Sequence, residues 1–112
     1  MKSYPENLTG KMAYDMTKSG TIQKLSDAAG QIMQITAYIL REDVNARGEE
    51  QEVLSVRDES GTVYATNSKP FIREFKQVLE FVNDDMSQVN HIEVVPGTSK
   101  NGRHYITMRW VD

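Results

Sequence analysis

One segment divides this chain into two parts: Asn67-Ser68-Lys69-Pro70-Phe71-Ile72-Arg73-Glu74-Phe75-Lys76-Gln77-Val78-Leu79-Glu80-Phe81-Val82. Asn67 and Ser68 are polar residues of the kind that cap helices, and Pro70 is favoured in a first helical turn. The apolar residues after this cap recur at helical spacing and form a single stripe. They are Phe71, Ile72, Phe75, Val78, Leu79 and Val82. The segment therefore predicts an amphipathic helix, which ends near residues 83–85.

Strands are predicted on both sides of this helix, three before it and two after it. Each is a short segment rich in β-branched and aromatic residues, bounded by polar or glycine-containing turns. The five predicted strands are Gln31–Glu42, Gln51–Arg57, Thr62–Thr66, His91–Val95 and Arg103–Trp110. Residues 1–19 show no sustained period, so we predict a flexible N-terminal arm. Helical spacing from Ile22 to Ala29 predicts a short helix before the first strand.

The order of these elements is strand, strand, strand, helix, strand, strand. It is the order of the OB-fold, a partly open five-stranded barrel that binds oligonucleotides with its second and third strands and two of its loops. Here those loops are Asp43–Glu50 and Pro96–Gly102. We therefore predict a mostly β, α+β chain with one OB-like domain over residues 20–112 and an N-terminal extension. Other small α+β folds share this order, and they stay open as alternatives.

The last predicted strand has two different faces, because side chains of a strand point alternately to opposite sides of a sheet. One face carries His104, Ile106, Met108 and Trp110. The opposite face carries Arg103, Tyr105, Thr107 and Arg109. We expect the first face to pack inward. The second interleaves guanidinium groups with an aromatic ring, which suits a single-stranded nucleic acid because that ligand offers phosphates and unstacked bases together.

Two sets of residues are candidates for such a site. The tyrosines on predicted strands with polar neighbours on the same face are candidate stacking platforms: Tyr38, Tyr64 and Tyr105. The candidate phosphate contacts are Arg57, Lys69, Lys100, Arg103 and Arg109. The alternative is that strand tyrosines are only half-buried and that the cations are solvated, most of all Arg57, because two acids follow it. The large aromatic residues Phe71, Phe75, Phe81 and Trp110 are expected in the core.

The composition limits the function classes. The chain has 112 residues, 38% of them hydrophobic, no cysteine, and 13 basic against 16 acidic residues for a net charge of -3. The absence of cysteine rules out disulfides and thiolate metal sites and fits a reducing cytoplasm. A net negative charge counts against nucleic-acid binding, but seven of the acids lie between Glu42 and Glu59, whereas Gly97–Asp112 has three bases and one acid.

Signals for other functions are weak. No apolar run approaches the ~18 residues of a membrane span, and we recognise no secretory signal. No phosphate-cradling glycine motif, nucleophile elbow or metal-ligand spacing is recognised, and His91 and His104 have no partner ligand nearby in sequence. We therefore expect a cytoplasmic protein that is not an enzyme, has no cofactor or metal, and does not contact a membrane.

Two segments carry a resemblance to a known family. Val94-Val95-Pro96-Gly97-Thr98-Ser99-Lys100-Asn101-Gly102-Arg103-His104-Tyr105 resembles the end of the single-stranded DNA-binding proteins of phages of Gram-positive bacteria that use protein-primed replication. In that family two valines lead into a Gly-Thr-Ser loop, a second glycine and an aromatic-containing terminal strand. The segment 58–69 is similar to the family's Gly-x-x-Tyr strand that enters a Ser-Lys helix start. The resemblance covers roughly residues 57–112 and does not include Met1 to Ala29.

The resemblance implies a protein that coats displaced single-stranded DNA, largely without sequence specificity, during viral replication in a host bacterial cytoplasm. It places Tyr64 against the DNA, with a less secure role for Tyr105. Replication proteins, and neighbouring protomers bridged by the N-terminal arm, are further partners to consider. The rival hypothesis is a small protein-interaction module, an accessory factor for a replication or repair enzyme, whose working surface is the acidic segment from Glu42 to Glu59.

Overall fold

The computed structural model describes residues 1–112 and contains two α-helices, two 3₁₀ turns and eight strands. In chain order they are β1 (Lys2–Tyr4), α1 (Gly10–Thr17), β2 (Gln23–Lys24), a 3₁₀ turn (Leu25–Ala28), β3 (Ile32–Met33), β4 (Ala37–Val44), β5 (Glu50–Arg57), β6 (Val63–Thr66), α2 (Lys69–Phe81), a 3₁₀ turn (Met86–Gln88), β7 (Ile92–Thr98) and β8 (His104–Trp110). Neither helix has the length and apolar character needed to cross a membrane.

The strands form two sheets. The large sheet has the strand order β1-β4-β5-β6-β2, and the small sheet has the order β3-β7-β8. All pairs are antiparallel except β2 with β6, which is parallel. One cluster of 21 buried residues joins both sheets to α2. The predicted mostly β, α+β class is confirmed, and the sheets do not close into a barrel.

The predicted first strand, Gln31–Glu42, is two strands in different sheets. β3 pairs with β7 in the small sheet, whereas β4 pairs with β5 along its whole length. The residues between them bond elsewhere: the Gln34 amide donates to the Glu59 carboxylate at 2.9 Å, and the Thr36 amide donates to the Arg57 carbonyl at 2.8 Å. The chain therefore bends at residues 34–36 as it passes from one sheet to the other.

Helix α2 matches its predicted signals. The Ser68 hydroxyl accepts a hydrogen bond from the Phe71 amide at 3.4 Å, as an N-cap does, and Pro70 lies in the first turn. The whole predicted stripe from Phe71 to Val82 is buried. Phe81, which was also expected in the core, is 82% exposed, so that expectation is wrong. Phe81 is three residues from Val78 but lies on the polar side of the last turn.

Residues 1–19, predicted as a flexible arm, form β1 and α1. β1 pairs with residues 38–40 of β4. α1 is capped by the Thr9 hydroxyl, which accepts from the Met12 amide at 3.1 Å. Leu8, Met12 and Met16 follow each other at four-residue spacing and pack together with Ala37 and Ile39 of β4. This spacing is the signal of a helix, although it is too short to stand out as a period. The predicted helix at 22–29 is β2 and a 3₁₀ turn.

Candidate nucleic-acid interface

Helix α1 covers part of the surface that an OB-like barrel is expected to use. Ile39, Ser55 and Ala65 lie side by side on β4, β5 and β6. Ile39 packs in the cluster formed with Met16 of α1, and Ser55 has no exposed area. α1 therefore covers this face beside Ile39, Ser55 and Val63, and a strand of nucleic acid cannot lie on that part of β5 and β6 while α1 is in place.

Tyr38 lies on the opposite, inner face of β4. It is 1% exposed, and its ring meets Phe75 of α2 edge to face at a centroid distance of 4.9 Å and an angle of 76°. Burial, and secondarily the negative charge of Asp84, raise the pKa of Tyr38 to about 12. Tyr38 is thus a core residue with no ring face for a base, and we remove it from the candidate set.

Tyr64 is a core residue as well. It lies opposite Val56 and is 9% exposed within the main cluster. Burial raises the pKa of its phenol, and the carboxylates of Asp58 and Glu59 act in the same direction. The resemblance assigns DNA contact to Tyr64, but the structure turns its ring inward. Alternation grouped the side chains of β4 and β6 into the correct two faces, but polar neighbours did not show which face packs into the main core.

Tyr105 is the predicted platform that remains at the surface. It lies opposite Gly97 in the β7–β8 register, with 40% of its surface exposed. Its ring covers the backbone of Gly97 so closely that a Cβ placed there would overlap the ring, at 2.6 Å from Cε2. Such an aromatic cover over a strand glycine is a recognised cross-strand arrangement. One side of the ring is therefore fixed by the protein while part of it stays open to a ligand.

Tyr105 borders a groove of about 540 Å³. Its walls are Ser26 of the first 3₁₀ turn, Ala29 just after that turn, residues 96–98 of β7 and residues 104–106 of β8. No carboxylate lines it. Sequence reasoning missed Ser26, Ala29 and His104 as groove residues, since no local pattern tells that residues 26–29 fold against the β7–β8 hairpin.

The hairpin loop next to this groove presents two cations. Ser99 holds the turn: its amide donates to the Arg103 carbonyl at 2.9 Å, and its hydroxyl accepts from the Arg103 amide at 3.2 Å. Gly102 takes a positive φ of 78°, which favours glycine. Lys100 and Arg103 are exposed, and neither belongs to any of the five ion pairs of the protein. Both charges are therefore available to a phosphate.

Arg109 is engaged within the protein, in contrast to Arg103. It lies opposite Glu93 on β7, and its Nε and Nη2 donate to Glu93 Oε1 at 3.1 and 2.6 Å. The sequence expectation considered only acids on β8 itself and so missed the acid on the neighbouring strand. Arg109 is consequently a weaker candidate for a phosphate contact than Arg103, because a carboxylate already pairs with it.

The two other predicted cations lie away from the hairpin. Arg57 is half-buried at the end of β5, opposite Ala37 and Val63. Lys69 is exposed at the start of α2 and lines a different groove. The structure thus brings Lys100, Arg103 and Tyr105 together in one hairpin and does not bring Arg57, Lys69, Tyr38 or Tyr64 to it.

Trp110 ends β8 at the other end of the same strand. It was expected inside, but it is 37% exposed, while Ile106 and Met108 on its face are buried as predicted. Its Nε1 donates to Asp112 Oδ1 at 2.9 Å. The same carboxylate accepts from the amides of His91 and Asn90 at 2.8 and 3.1 Å, and these hydrogen bonds, that of His91 first, lower the pKa of Asp112. Trp110 therefore belongs to a group of hydrogen bonds that joins the end of β8 to the residues before β7, and not to the core.

No group of three or more His, Asp or Glu side chains is arranged to hold a metal ion. Comparisons with protein-family models, with curated proteins and with solved structures gave no significant match for this chain.

Proposed function

We propose that this protein binds single-stranded DNA without sequence specificity, and that it does so as a non-enzymatic coating protein. The observation that carries the proposal is the position of Tyr105: its ring is held over Gly97, partly exposed, at the wall of a groove without carboxylates. A fixed ring can stack on any base, because every base has a π-face. Lys100 and Arg103 lie in the adjoining loop, where they would neutralise phosphates.

We further propose that the two sheets are an opened OB-like barrel. The bent segment β3–β4 supports this, because it pairs with β7 at one end and with β5 at the other and so links the sheets as a first barrel strand would. The Ser68 hydroxyl, at the N-cap of α2 just after β6, donates to the Ile106 carbonyl of β8 at 2.7 Å. The remaining edge of β6 is taken by β2, which accounts for the absence of closure there.

This proposal keeps the resemblance to phage single-stranded DNA-binding proteins but moves the stacking role. The Gly-Thr-Ser loop and the terminal strand that carry the resemblance are also where the exposed ring and the unpaired cations lie. A role in coating strands displaced during replication, in a host bacterial cytoplasm, follows from that resemblance. Tyr105 takes the place that the resemblance gives to Tyr64.

The acidic β4–β5 hairpin fits the proposal as a boundary. Its register places Glu42 opposite Glu52 and Val44 opposite Glu50, so carboxylates face each other near the tip. Like charges repel a phosphate backbone over a Debye length of about 10 Å at 0.1 M salt. A bound strand would therefore follow the β7–β8 hairpin and avoid the β4–β5 tip.

The decisive test is fluorescence anisotropy with a labelled oligo-dT of about 30 nucleotides and with a duplex of the same length, each at low and moderate salt. We expect micromolar or tighter binding of the single strand, weakening with salt by about 0.7 in log K per log salt for each phosphate contact. The double variant Lys100→Gln/Arg103→Gln should lower this slope. A wild-type protein that shows no binding at micromolar concentration at low salt would refute the proposal.

One observation favours the protein-interaction module as a second candidate. Val44 is 58% exposed at the tip of the acidic hairpin, an apolar side chain among carboxylates. This combination suits a basic partner that has an apolar contact point. If oligo-dT does not bind, Val44→Ser and Glu42→Gln become the variants to compare in binding assays with candidate replication and repair enzymes.

A further inference from the structure

A second groove adjoins the one beside Tyr105. It measures about 410 Å³ and shares Ser26 with the first groove. Lys24, Thr66 and Asn67 are among its lining residues, and none of its lining residues is acidic. The two grooves therefore adjoin at Ser26, and no carboxylate lines either of them, although the exposed Asp27 follows Ser26 in the chain.

The strand β2 builds this second groove. It pairs in parallel with β6, which places Lys24 next to Ala65. Ser26 lies in the 3₁₀ turn that follows β2. The first and last residues of this turn, Leu25 and Ala28, are buried and anchor it. Lys24 is exposed and makes no ion pair. The anchored turn thus follows an available cation that lines the second groove.

The far wall of the second groove offers neutral hydrogen-bonding groups. Asn67 Nδ2 donates to Gln51 Oε1 at 3.1 Å, so the Asn67 carbonyl oxygen and the Gln51 amide nitrogen stay available to a ligand. The Thr66 hydroxyl accepts from the Ser68 amide at 3.0 Å and can still donate. Hydroxyl and amide groups can bind sugars and base edges either as hydrogen-bond donors or as acceptors.

Beyond Asn67 the surface changes in character. A third groove of about 710 Å³ lies between β5 and α2 and is lined by Lys69, Arg73 and Lys76 but also by Glu50, Glu52 and Glu80. Lys76 is already paired with Glu52 at 2.6 Å. Phosphates that entered this groove would meet three carboxylates, so the path suited to a polyanion ends beside Asn67.

We infer that the second groove is a nucleotide-binding subsite, in which Lys24 contacts a phosphate and the bound strand runs from Tyr105 over Ser26 to Asn67. The inference rests on the proposed function. It adds the course that the bound single strand takes over the surface and the place, beside Asn67, where its contacts with the protein end. It also accounts for how a protein in which α1 covers only part of the β5–β6 outer face could bind several nucleotides.

The test compares Lys24→Gln with Lys18→Gln. Lys18 is likewise exposed and unpaired, but it lies at the end of α1 and lines neither groove, so the two variants have the same net charge. Binding is titrated against oligo-dT of about 4 and about 16 nucleotides, which span the range of site sizes of one OB-like domain. Thermal unfolding of both variants checks that they are folded.

With the longer oligonucleotide, we expect Lys24→Gln to lower the salt slope by about 0.7 and the affinity at about 0.1 M salt about fivefold, and Lys18→Gln to match the wild type. We expect the shorter one to bind at the Tyr105 groove, beside the ring and the loop cations, so both variants should match the wild type with it. Equal long-oligonucleotide affinity and slope for the two variants, with wild-type binding intact, would overturn the subsite alone. A wild-type protein that binds neither oligonucleotide would overturn the proposed function and the subsite together.

Asn67→Asp provides an independent variant, because it puts a carboxylate into the groove with almost no change of size. We expect it to weaken binding of the longer oligonucleotide and to leave the shorter one unchanged. The same substitution at the exposed Asn7 is its control. Equal binding of the longer oligonucleotide by the two aspartate variants would contradict the path past Asn67.

Discussion

Tyr105 of β8 lies across Gly97 of β7, and the contact leaves no room for a side chain at residue 97. The two residues therefore form one unit, in which the missing side chain of Gly97 makes room for the Tyr105 ring. The loop between them carries Lys100 and Arg103, so the orientation of this ring also sets where the cations lie relative to a stacked base.

The first prediction concerns Gly97, on which the Tyr105 ring rests. Gly97→Ala should push the Tyr105 ring away and cost about 1 kcal/mol of unfolding free energy, the low end of the penalty for an inserted group, because the ring is partly exposed and can move. Urea denaturation measures it. Gly20→Ala is the control, because nothing lies within 4 Å of a Cβ at Gly20. Equal stability of the two variants would show that the ring does not rest on Gly97.

The second prediction concerns the ring itself. Tyr105→Leu keeps an apolar cover over Gly97 but removes the aromatic face, so it should weaken oligo-dT binding about ten- to a hundredfold, given ~1–3 kcal/mol per stacked base. Tyr14→Leu, at an exposed tyrosine on α1, should bind as the wild type does. If the Tyr105 variant also binds as the wild type does, Tyr105 is not a stacking platform.

The third prediction separates Arg103, in the hairpin loop, from Arg109, on β8. Arg103→Gln should lower the salt slope of binding by about 0.7, whereas Arg109→Gln should leave it unchanged because Glu93 already neutralises Arg109. Glu93→Gln should release Arg109 and steepen the slope. Anisotropy titrations at several salt concentrations measure all three variants. A loss at Arg109 as large as that at Arg103 would contradict the assignment.

The fourth prediction tests whether the N-terminal segment is folded onto the sheet. Met16 is buried against Ala37 and Ile39, so Met16→Ala should cost about 2–5 kcal/mol of unfolding free energy. Met12→Ala, at a half-buried position on the same helix, should cost less. A flexible arm would instead give changes within about 0.5 kcal/mol for both variants, as is usual for surface positions. Chemical denaturation distinguishes the two outcomes.

The features predicted correctly from the sequence depend on local signals. The Ser68 cap, Pro70 and the apolar stripe located α2, and alternation on β8 identified Ile106 and Met108 as core. Each of these signals lies within one element, where the backbone period fixes which side chains share a face. The mostly β, α+β class follows from the order of such elements.

The errors arise where another element, distant in sequence, decides the environment. Tyr38 has polar neighbours on its face, but β4 is covered on both sides, by α1 and by the main core, so polarity did not mark an outer face. Arg109 looked available until β7 placed Glu93 beside it. The surroundings of the candidate site residues were predicted less well than the secondary structure, because a site depends on contacts between elements that are distant in sequence.

The fifth prediction concerns Tyr38 and alkaline pH. Its pKa is about 12 in the folded protein against 10.0 for an ordinary tyrosine, so as pH rises from 10.0 to about 12 the unfolded chain loses this proton while the folded chain keeps it. The folded state then binds more protons, and its stability falls with rising pH in this window.

Tyr38→Phe removes the phenol, so its unfolding free energy relative to the wild type should improve over the same window. Tyr14→Phe should follow the wild type, and urea denaturation at a series of pH values compares the three proteins. A constant difference between Tyr38→Phe and the wild type across this window would mean that the Tyr38 hydroxyl is not buried as described.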